Sequence, residues 1–323
     1  MMSRYDEIEQ LARKIEQHAF RRGFVSAFTL TAFPVKSGKD MELHITRECD
    51  GLVYGNAEVG TLDAFRDFIS ALDGRVDFIV CDLALPFETD TFLGEGTDAP
   101  ENSVLLQYSD IAVWIDSVRY ILYSRIPNLP EKSLVITGDE DPEDTFLKRL
   151  TTDPGGIASS VFVHLSGAAK QEIPEAYRSA DVIIGAAIYR QVIRRECLER
   201  CERSPLIVDA GIGTVTPEAS EFAMERGFQL IRVDNRAAMA GMLFSLIQSH
   251  DLVTRVMGQG EIAGVPVVAG GYIGAPGTIV VDSIDQPSIA IGFADGTGRI
   301  RYNAETDDEK KRIELVRKAI GGE

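Results

Sequence analysis

Residues Pro205–Ile231 read PLIVDAGIGTVTPEASEFAMERGFQLI, and this stretch decides the fold class. It begins with a short apolar run that ends at Asp209, and a turn of small residues follows. A Thr-Pro pair then opens the helical segment Pro217–Arg226, because threonine caps a helix and proline suits its first turn. A second apolar run starts at Gln229. A strand, a helix and a second strand in this order predict a parallel βαβ unit.

The same alternation extends toward the N-terminus. The predicted strands are Ser133–Thr137, Ser160–Leu165, Asp181–Gly185, Leu206–Asp209 and Gln229–Val233. The predicted helices are Glu143–Leu150, Pro174–Arg178, Tyr189–Cys201 and Pro217–Arg226. The strands are apolar along nearly their whole length, as in a parallel sheet with both faces covered. We therefore expect an α/β protein with a doubly wound, Rossmann-like parallel sheet.

The flanking regions have other patterns. Residues 1–128 predict a smaller α/β domain of the substrate-binding type, with the helix Ile111–Ile126 as its connector to the Rossmann-like domain at 129–258. Residues 259–323 predict a β-hairpin-rich extension and a C-terminal helix, because short apolar runs alternate there with Gly- and Pro-rich turns. Within it, Gly270–Gly277 suits a lid, a dimer contact or a plain hairpin turn.

Composition limits the class of function. The chain has 323 residues, of which 33 are Lys or Arg and 50 are Asp or Glu, so its formal net charge is −17. Such a surface repels phosphate backbones, and we expect a small-molecule substrate and no nucleic-acid partner. No apolar run reaches the roughly 18 residues of a membrane span, and the N-terminus is charged, so we expect a cytoplasmic protein without a membrane partner. The four cysteines and four histidines show no metal-binding spacing, so no metal is expected.

Ligands of a doubly wound sheet lie at the carboxyl ends of its strands. The candidate cofactor-binding residues that follow predicted strands are Gly138, Gly185, Ala186, Asp209, Gly211 and Gly213. Small residues at these positions let a flat ring approach the backbone, or they serve only to form tight turns. Both interpretations stay open at the level of sequence.

Three segments resemble parts of a known family. Ser179–Ala187 (SADVIIGAA), Pro205–Ile231 and Ala238–Gly258 (AMAGMLFSLIQSHDLVTRVMG) are similar to segments of shikimate and quinate dehydrogenases. Methylene-tetrahydrofolate and methylene-tetrahydromethanopterin dehydrogenases share that two-domain Rossmann architecture. The resemblance implies an NADP-dependent dehydrogenase that acts on a small cyclic hydroxy acid or a pterin-type substrate. We also expect a homodimer.

The resemblance also implies catalytic and cofactor-binding residues. The family uses a Lys and an Asp for proton transfer, and the matching candidates are Lys36, which ends the run Thr29–Lys36, and Asp110, which precedes a predicted helix. Surface charges would give the same pattern. Ser166 and Lys170 follow the second predicted strand, where no acid is present to bind a ribose hydroxyl, so they favour NADP over NAD.

One turn departs from the family. Gly138–Asp144 reads GDEDPED where a glycine-rich dinucleotide fingerprint is expected, and five of its seven residues are acidic. Carboxylates close to a pyrophosphate repel it, so we expect weak or absent NAD binding. An alternative is an S-adenosylmethionine-dependent methyltransferase, because that cofactor is cationic and phosphate-free and tolerates an acid such as Asp139. A second alternative is a non-catalytic binding protein on a degenerate Rossmann scaffold.

Overall fold

A computed structural model describes residues 3–33, 38–85, 99–138, 159–164, 174–187 and 190–321. Contacts within the chain divide it into two compact units, Met1–Ala240 and Gly241–Glu323. The division into three parts at residues 128 and 258 stays a prediction. In the described part of the chain, no helix is both long enough and apolar enough to span a membrane.

The first unit contains two sheets, and the N-terminal one is mixed. Its elements are α1 (Arg4–Arg22), β1 (Val25–Ala32), β2 (Met41–Leu43), β3 (Arg47–Cys49), β4 (Leu52–Val59), α2 (Leu62–Leu72), β5 (Phe78–Asp82) and β6 (Val104–Tyr108). Strands β4, β1, β5 and β6 lie side by side in that order and are parallel. The short strands β2 and β3 pair antiparallel with β4. All four parallel strands therefore end at the same edge of the sheet.

Local sequence explains the helix that covers this sheet. Helix α1 begins with a capping box in which Ser3 and Asp6 satisfy each other's backbone N–H, and it ends at Gly23, whose φ of 66° suits glycine. Its buried residues, which include Ile8 and Ile15, pack with residues of β1, β4 and α2 in one apolar core. Burying such side chains contributes about 25 cal/mol for each Å² removed from water.

The second sheet is wholly parallel and doubly wound. Its elements and the helices around it are α3 (Asp110–Arg125), β7 (Ser133–Gly138), β8 (Ser159–His164), β9 (Val182–Gly185), α4 (Arg195–Glu199), β10 (Leu206–Asp209), α5 (Pro217–Glu225), β11 (Gln229–Arg232) and α6 (Asn235–Asp251). The strand order is β11-β10-β9-β7-β8. One face packs in a core with α3 residues such as Val118, and the other packs in a core with α5 residues such as Ala219. The predicted Rossmann-like sheet is confirmed.

The strand order also predicts where a ligand-binding crevice lies in the second sheet. From β7 the chain moves outward to β8 and then returns to β9 on the opposite side of β7. The carboxyl ends of β7 and β9 thus border the topological switch point of the sheet, where open α/β sheets bind ligands.

Three predicted helices differ from the structure, and one of them, Pro174–Arg178, is a 3₁₀ helix at Glu175–Ser179. Of the predicted helix Tyr189–Cys201, the structure describes residues 190–201, and among these only Arg195–Glu199 is α-helical. The backbone N–H groups of Val192 and Ile193 both donate to the carbonyl of Thr214, each at 2.8 Å. These bonds hold the segment extended. The sequence also predicts a helix at Arg236–Met257. In the structure this helix starts one residue earlier and ends at Asp251, and a π-helical turn follows at Leu252–Val256. The predicted helix Glu143–Leu150 lies outside the described residues.

The second unit contains a five-stranded sheet and a helix. The elements are β12 (Gly258–Ile262), β13 (Val265–Ala269), β14 (Ile279–Val281), β15 (Ala290–Ala294), β16 (Ile300–Arg301) and α7 (Asp307–Gly321). The pairs β12–β13, β14–β15 and β15–β16 are antiparallel, and the sequence predicted the β14–β15 hairpin among them. Strands β13 and β14 are parallel, so Gly270–Gly277 belongs to a crossover and not to a hairpin turn. Gly270 has φ 63°, and a Cβ there would lie 2.5 Å from Cα of Met257.

Candidate functional site

In the N-terminal sheet, polar side chains lie close together near the carboxyl ends of the parallel strands. Thr29 and Thr31 lie in β1, Asn56 in β4, Asp82 in β5 and Tyr108 in β6, and all five are buried. We call these five residues the polar cluster. Buried polar groups cost free energy unless they are hydrogen-bonded, so a group of five in one apolar sheet needs an explanation.

Hydrogen bonds connect four members of the polar cluster. Asn56 Nδ2 donates to Oγ1 of Thr29 at 2.8 Å and to Oγ1 of Thr31 at 3.0 Å. The hydroxyl groups of Thr31 and Tyr108 are 2.7 Å apart. The network fixes these side chains in place, and it crosses β4, β1 and β6.

Asp82, the fifth member, is held by backbone groups. Its carboxylate accepts hydrogen bonds from the backbone N–H groups of Ala84 at 3.1 Å, Asp110 at 3.2 Å and Ala32 at 3.4 Å. Three backbone N–H groups thus converge on one carboxylate. This carboxylate lies at the N-terminus of α3, where its charge acts on Asp110.

Asp110 is the first residue of α3 and is half-buried. Burial raises the pKa of its carboxyl group to about 7, and the negative charge of Asp82 adds to this effect. Asn235, the first residue of α6, donates from Nδ2 to Oδ1 of Asp110 at 2.9 Å. A carboxyl group that both releases and takes up a proton near neutral pH suits general acid–base chemistry.

Other predicted residues meet at the edge of the second sheet. Gly185 pairs with Thr137 on one side and with Asp209 on the other, so the ends of β7, β9 and β10 are adjacent. Gly138 is the last residue of β7, and the backbone N–H of Ala186 donates to the Thr137 carbonyl at 2.8 Å. The sequence thus predicted the position of this edge.

The Asp209 carboxylate is engaged by its own loop. It accepts the backbone N–H of Gly213 at 2.7 Å, the backbone N–H of Thr214 at 3.2 Å and the Thr214 hydroxyl at 2.8 Å. This pattern folds residues 210–214 into a tight turn in which Gly213 has φ 79°.

Protein atoms also fill the space beside two of the predicted glycines. A Cβ at Gly185 would collide with the Thr214 side chain, and a Cβ at Gly211 would collide with the backbone of Ala187. Close packing within the protein therefore accounts for glycine at both positions. A role for these residues in cofactor binding stays a prediction.

The remaining predicted site residues, Lys36, Asp139, Ser166 and Lys170, lie outside the described residues, as does the acidic turn 139–144. Among the residues that the structure describes, no three His, Cys, Asp or Glu side chains are grouped closely enough to hold a metal ion.

A cavity of about 270 Å³ lies beside the polar cluster, and the sequence did not predict it. We call it the arginine cavity, and its lining residues are Leu43, His44, Ile45, Arg47, Tyr54, Asn56 and Arg236. Asn56 belongs to both groups. A contact between His44 and Arg236, which are 192 positions apart, has no signal in sequence spacing. For Asp82 there was a signal, because an acid follows the buried run Val76–Cys81 at a strand end.

Comparisons with known proteins were made for sequence and for structure. No protein-family model and no curated protein matches the chain. A 5,10-methylenetetrahydrofolate dehydrogenase from the silkworm Bombyx mori is 15% identical, with 76% of this chain and 96% of that one covered and a TM-score of 0.40. The methylenetetrahydrofolate dehydrogenase-cyclohydrolase of Trypanosoma brucei, solved with NADP and an inhibitor, is 15% identical over 71% of this chain and 86% of its own, with a TM-score of 0.33.

An aspartate transcarbamoylase from Trypanosoma cruzi, in its ligand-free form, is 11% identical over 68% of this chain and 85% of its own, with a TM-score of 0.33. TM-scores this low assign neither a fold nor a function. The strand order defines the fold, and the contacts among Asp82, Asp110 and Asn235 define the candidate site. The resemblance to shikimate and quinate dehydrogenases stays a prediction.

Proposed function

We propose that this chain is an enzyme in which Asp110 transfers a proton to and from a small-molecule substrate, and that it works as an NADP-dependent dehydrogenase. The observation that carries the proposal is the position of the Asp110 carboxyl group, half-buried next to Asp82 and hydrogen-bonded by Asn235. The substrate would be a hydroxy acid or a pterin-type molecule, as the sequence resemblance implies.

The surroundings of the two carboxyl groups support different roles for them. Asp82 accepts hydrogen bonds from three backbone N–H groups. Asp110 lies beside the negative charge of Asp82 and, with its raised pKa, retains a proton near neutral pH. Two neighbouring carboxyl groups with unequal surroundings are a recurrent arrangement in acid–base enzymes. Because Asp110 is only half-buried, a substrate can reach it, whereas Asp82 is buried.

The proposal that NADP binds at the second sheet rests on the topology of the sheet more than on hydrogen-bond donors that are free to contact the cofactor. Gly138, Gly185 and Ala186 border the switch point, where they would lie against the cofactor. The N–H of Ala186 is already bonded to Thr137. Phosphate contacts would therefore come from Ser166 and Lys170, as the sequence predicts. NADP, when bound, would supply or accept a hydride, and Asp110 would release or accept the accompanying proton.

Ligand-induced stabilisation tests this proposal directly. Thermal unfolding would be followed with millimolar NADP, NAD, S-adenosylmethionine and S-adenosylhomocysteine, first with the wild type and then with Asp110→Asn. A ligand present at 100 times its Kd stabilises the folded state by about 2.7 kcal/mol. We expect NADP to raise the Tm of both proteins by a similar small amount, because the acidic turn weakens binding and Asp110 handles the proton without holding the cofactor. Stabilisation by S-adenosylmethionine alone would contradict the dehydrogenase proposal.

A variant of the acidic turn, residues 139–144, provides a second and independent test. In a triple variant, Asp139→Gly, Glu140→Ser and Asp141→Gly, three negative charges near the expected pyrophosphate are removed. We expect this variant to bind NADP more tightly than the wild type, because like charges repel at close range. Loss of all ligand binding would indicate instead that these acids hold a cationic cofactor.

A further inference from the structure

The lining of the arginine cavity is basic although the chain as a whole has a net charge of −17. Arg47 Nη2 lies 3.4 Å from Oδ2 of Asp234, and Arg236 Nε lies 3.3 Å from Oδ1 of the same carboxylate. One carboxylate thus serves two guanidinium groups, through contacts that are long for ion pairs. Among the residues that the structure describes, several of the ten guanidinium N–H donors have no acceptor and are available to a ligand.

The other carboxylates near the cavity have their own partners. Glu42 lies 2.7 Å from the Lys39 ammonium group, and Oε1 of Glu58 lies 3.4 Å from Nε2 of His44. Neither glutamate lines the cavity, and the charged side chains among its lining residues are basic. The cavity therefore favours a negatively charged group.

His44 adds a further donor. Arg236 Nη1 lies 3.2 Å from Nδ1 of His44, and because arginine is only a donor, Nδ1 must accept. The proton of the neutral ring is then on Nε2. That atom is buried and makes no hydrogen bond with the residues that the structure describes, although Oε1 of Glu58 lies 3.4 Å from it.

Size and position indicate which part of a ligand the cavity takes. A volume of about 270 Å³ holds an end group with a short stem, and the side chains of Leu43, Ile45 and Tyr54 give the stem apolar contacts. The arginine cavity adjoins the catalytic candidate along the chain, because Arg236 lines it and the preceding residue, Asn235, bonds Asp110. The cavity and the Asp110 contact are therefore joined through consecutive residues at the start of α6.

We propose that the arginine cavity binds the anionic end group, a carboxylate or a phosphate, of the substrate whose reacting group lies at Asp110. This assignment deepens the proposed function and rests on it for the identity of the bound molecule as a substrate. Arg47 and Arg236 bind the oxygen atoms of the anion, since planar guanidinium groups match carboxylate and phosphate geometry. Asp234 holds the two arginines in position.

The test uses malonate and inorganic phosphate as probes, titrated into the full chain by calorimetry. We expect saturable binding, at least about tenfold weaker in Arg47→Met and in Arg236→Met, a factor that corresponds to 1.4 kcal/mol. Arg13→Met is the matched control, because Arg13 is exposed and paired with Glu9 at 2.9 Å. A similar loss in the control, or no loss in either cavity variant, would overturn the proposal. Tighter binding of malonate indicates a carboxylate, and tighter binding of phosphate indicates a phosphate.

Asp234→Asn is expected to increase the affinity for the probes, a result that a misfolded variant would not give. The amide keeps an oxygen acceptor but removes the charge that competes with a ligand for both arginines. We expect both probes to bind several-fold more tightly, and unchanged or weaker binding would count against the subsite.

The same titrations with Asp110→Asn separate this proposal from the proposed function. Anion binding should change less than about twofold, because Asp110 does not line the cavity. If Asp110 titrates near neutral pH but neither probe binds, only the subsite is wrong. If both probes bind and Asp110 titrates as an ordinary aspartate, the subsite stands and the proton-transfer role fails.

Discussion

Asn235 and Asp110 are 125 positions apart in the chain, and Nδ2 of the asparagine donates to Oδ1 of the aspartate at 2.9 Å. The bond joins the first residue of α6 to the first residue of α3. It brings an amide donor to a carboxyl group that already lies beside Asp82, and the adjacent Arg236 lines the arginine cavity. The candidate site is thus built on the starts of two helices and the ends of four parallel strands.

Replacement of Asp110 by Asn is expected to stabilise the first unit at alkaline pH. The folded-state pKa of about 7 is above the ordinary value of 3.8. Between these values the unfolded chain loses the proton and the folded chain keeps it, so wild-type stability falls as the pH rises from about 4 to about 7. The shift corresponds to at most about 4 kcal/mol, and partial solvent access reduces it.

Urea unfolding of Asp110→Asn and the wild type at pH 5 and pH 8 measures this difference. The variant should gain more stability relative to the wild type at pH 8 than at pH 5. Asp116→Asn is the control, because Asp116 lies on the same helix and its side chain is 77% exposed. An Asp110→Asn effect that does not depend on pH would contradict the assigned pKa.

Removal of the Asp82 charge should lower the pKa of Asp110. Asp82 is the second cause of the raised value, after burial. In Asp82→Asn we expect the Asp110 titration midpoint to fall by about one unit, the usual effect of a nearby like charge. Carbon-13 NMR of the side-chain carboxyl groups measures the midpoint, and an unchanged value would show that burial alone acts on Asp110.

Gly185→Ala should destabilise the second sheet through packing. The added Cβ would collide with the Thr214 side chain, so the variant should lose on the order of 2 kcal/mol or more. Thr214→Gly removes the opposing side chain, and the double variant should be more stable than the sum of the single effects predicts. Strict additivity in urea unfolding would indicate that glycine is required there for a different reason, such as contact with a ligand.

Glu309→Gln should destabilise the second unit at neutral pH. Oε1 of the buried Glu309 accepts a hydrogen bond from Nη2 of Arg301 at 2.6 Å, and this bond is the main reason that the pKa is lowered to about 2. A lowered pKa stabilises the fold above the ordinary value of 4.5, and that contribution is lost as the pH falls toward 2. We expect a loss of about 2 kcal/mol at pH 7 and a smaller one at pH 3. Glu314→Gln, on an exposed position of α7, should have little effect at either pH.

The sequence predicted the second sheet well because each of its strands is a short, nearly continuous apolar run. It also predicted that Gly185 and Asp209 lie at one edge, which follows from parallel strands. The length of the helix predicted to end at Cys201 was overestimated. Hydrogen bonds from Val192 and Ile193 to Thr214 are long-range contacts that no local sequence pattern shows. The arginine cavity was missed for the same reason, because His44 and Arg236 meet only in the folded chain.

The most direct test of the proposed function is the titration of the Asp110 carboxyl group. Its carbon-13 signal would be assigned in aspartate-labelled protein by its absence from the Asp110→Asn spectrum, and followed from pH 3 to pH 9. Burial and the charge of Asp82 predict a midpoint of about 7. A midpoint near 4, the value of an ordinary exposed aspartate, would contradict the assignment of Asp110 as the proton-transfer residue.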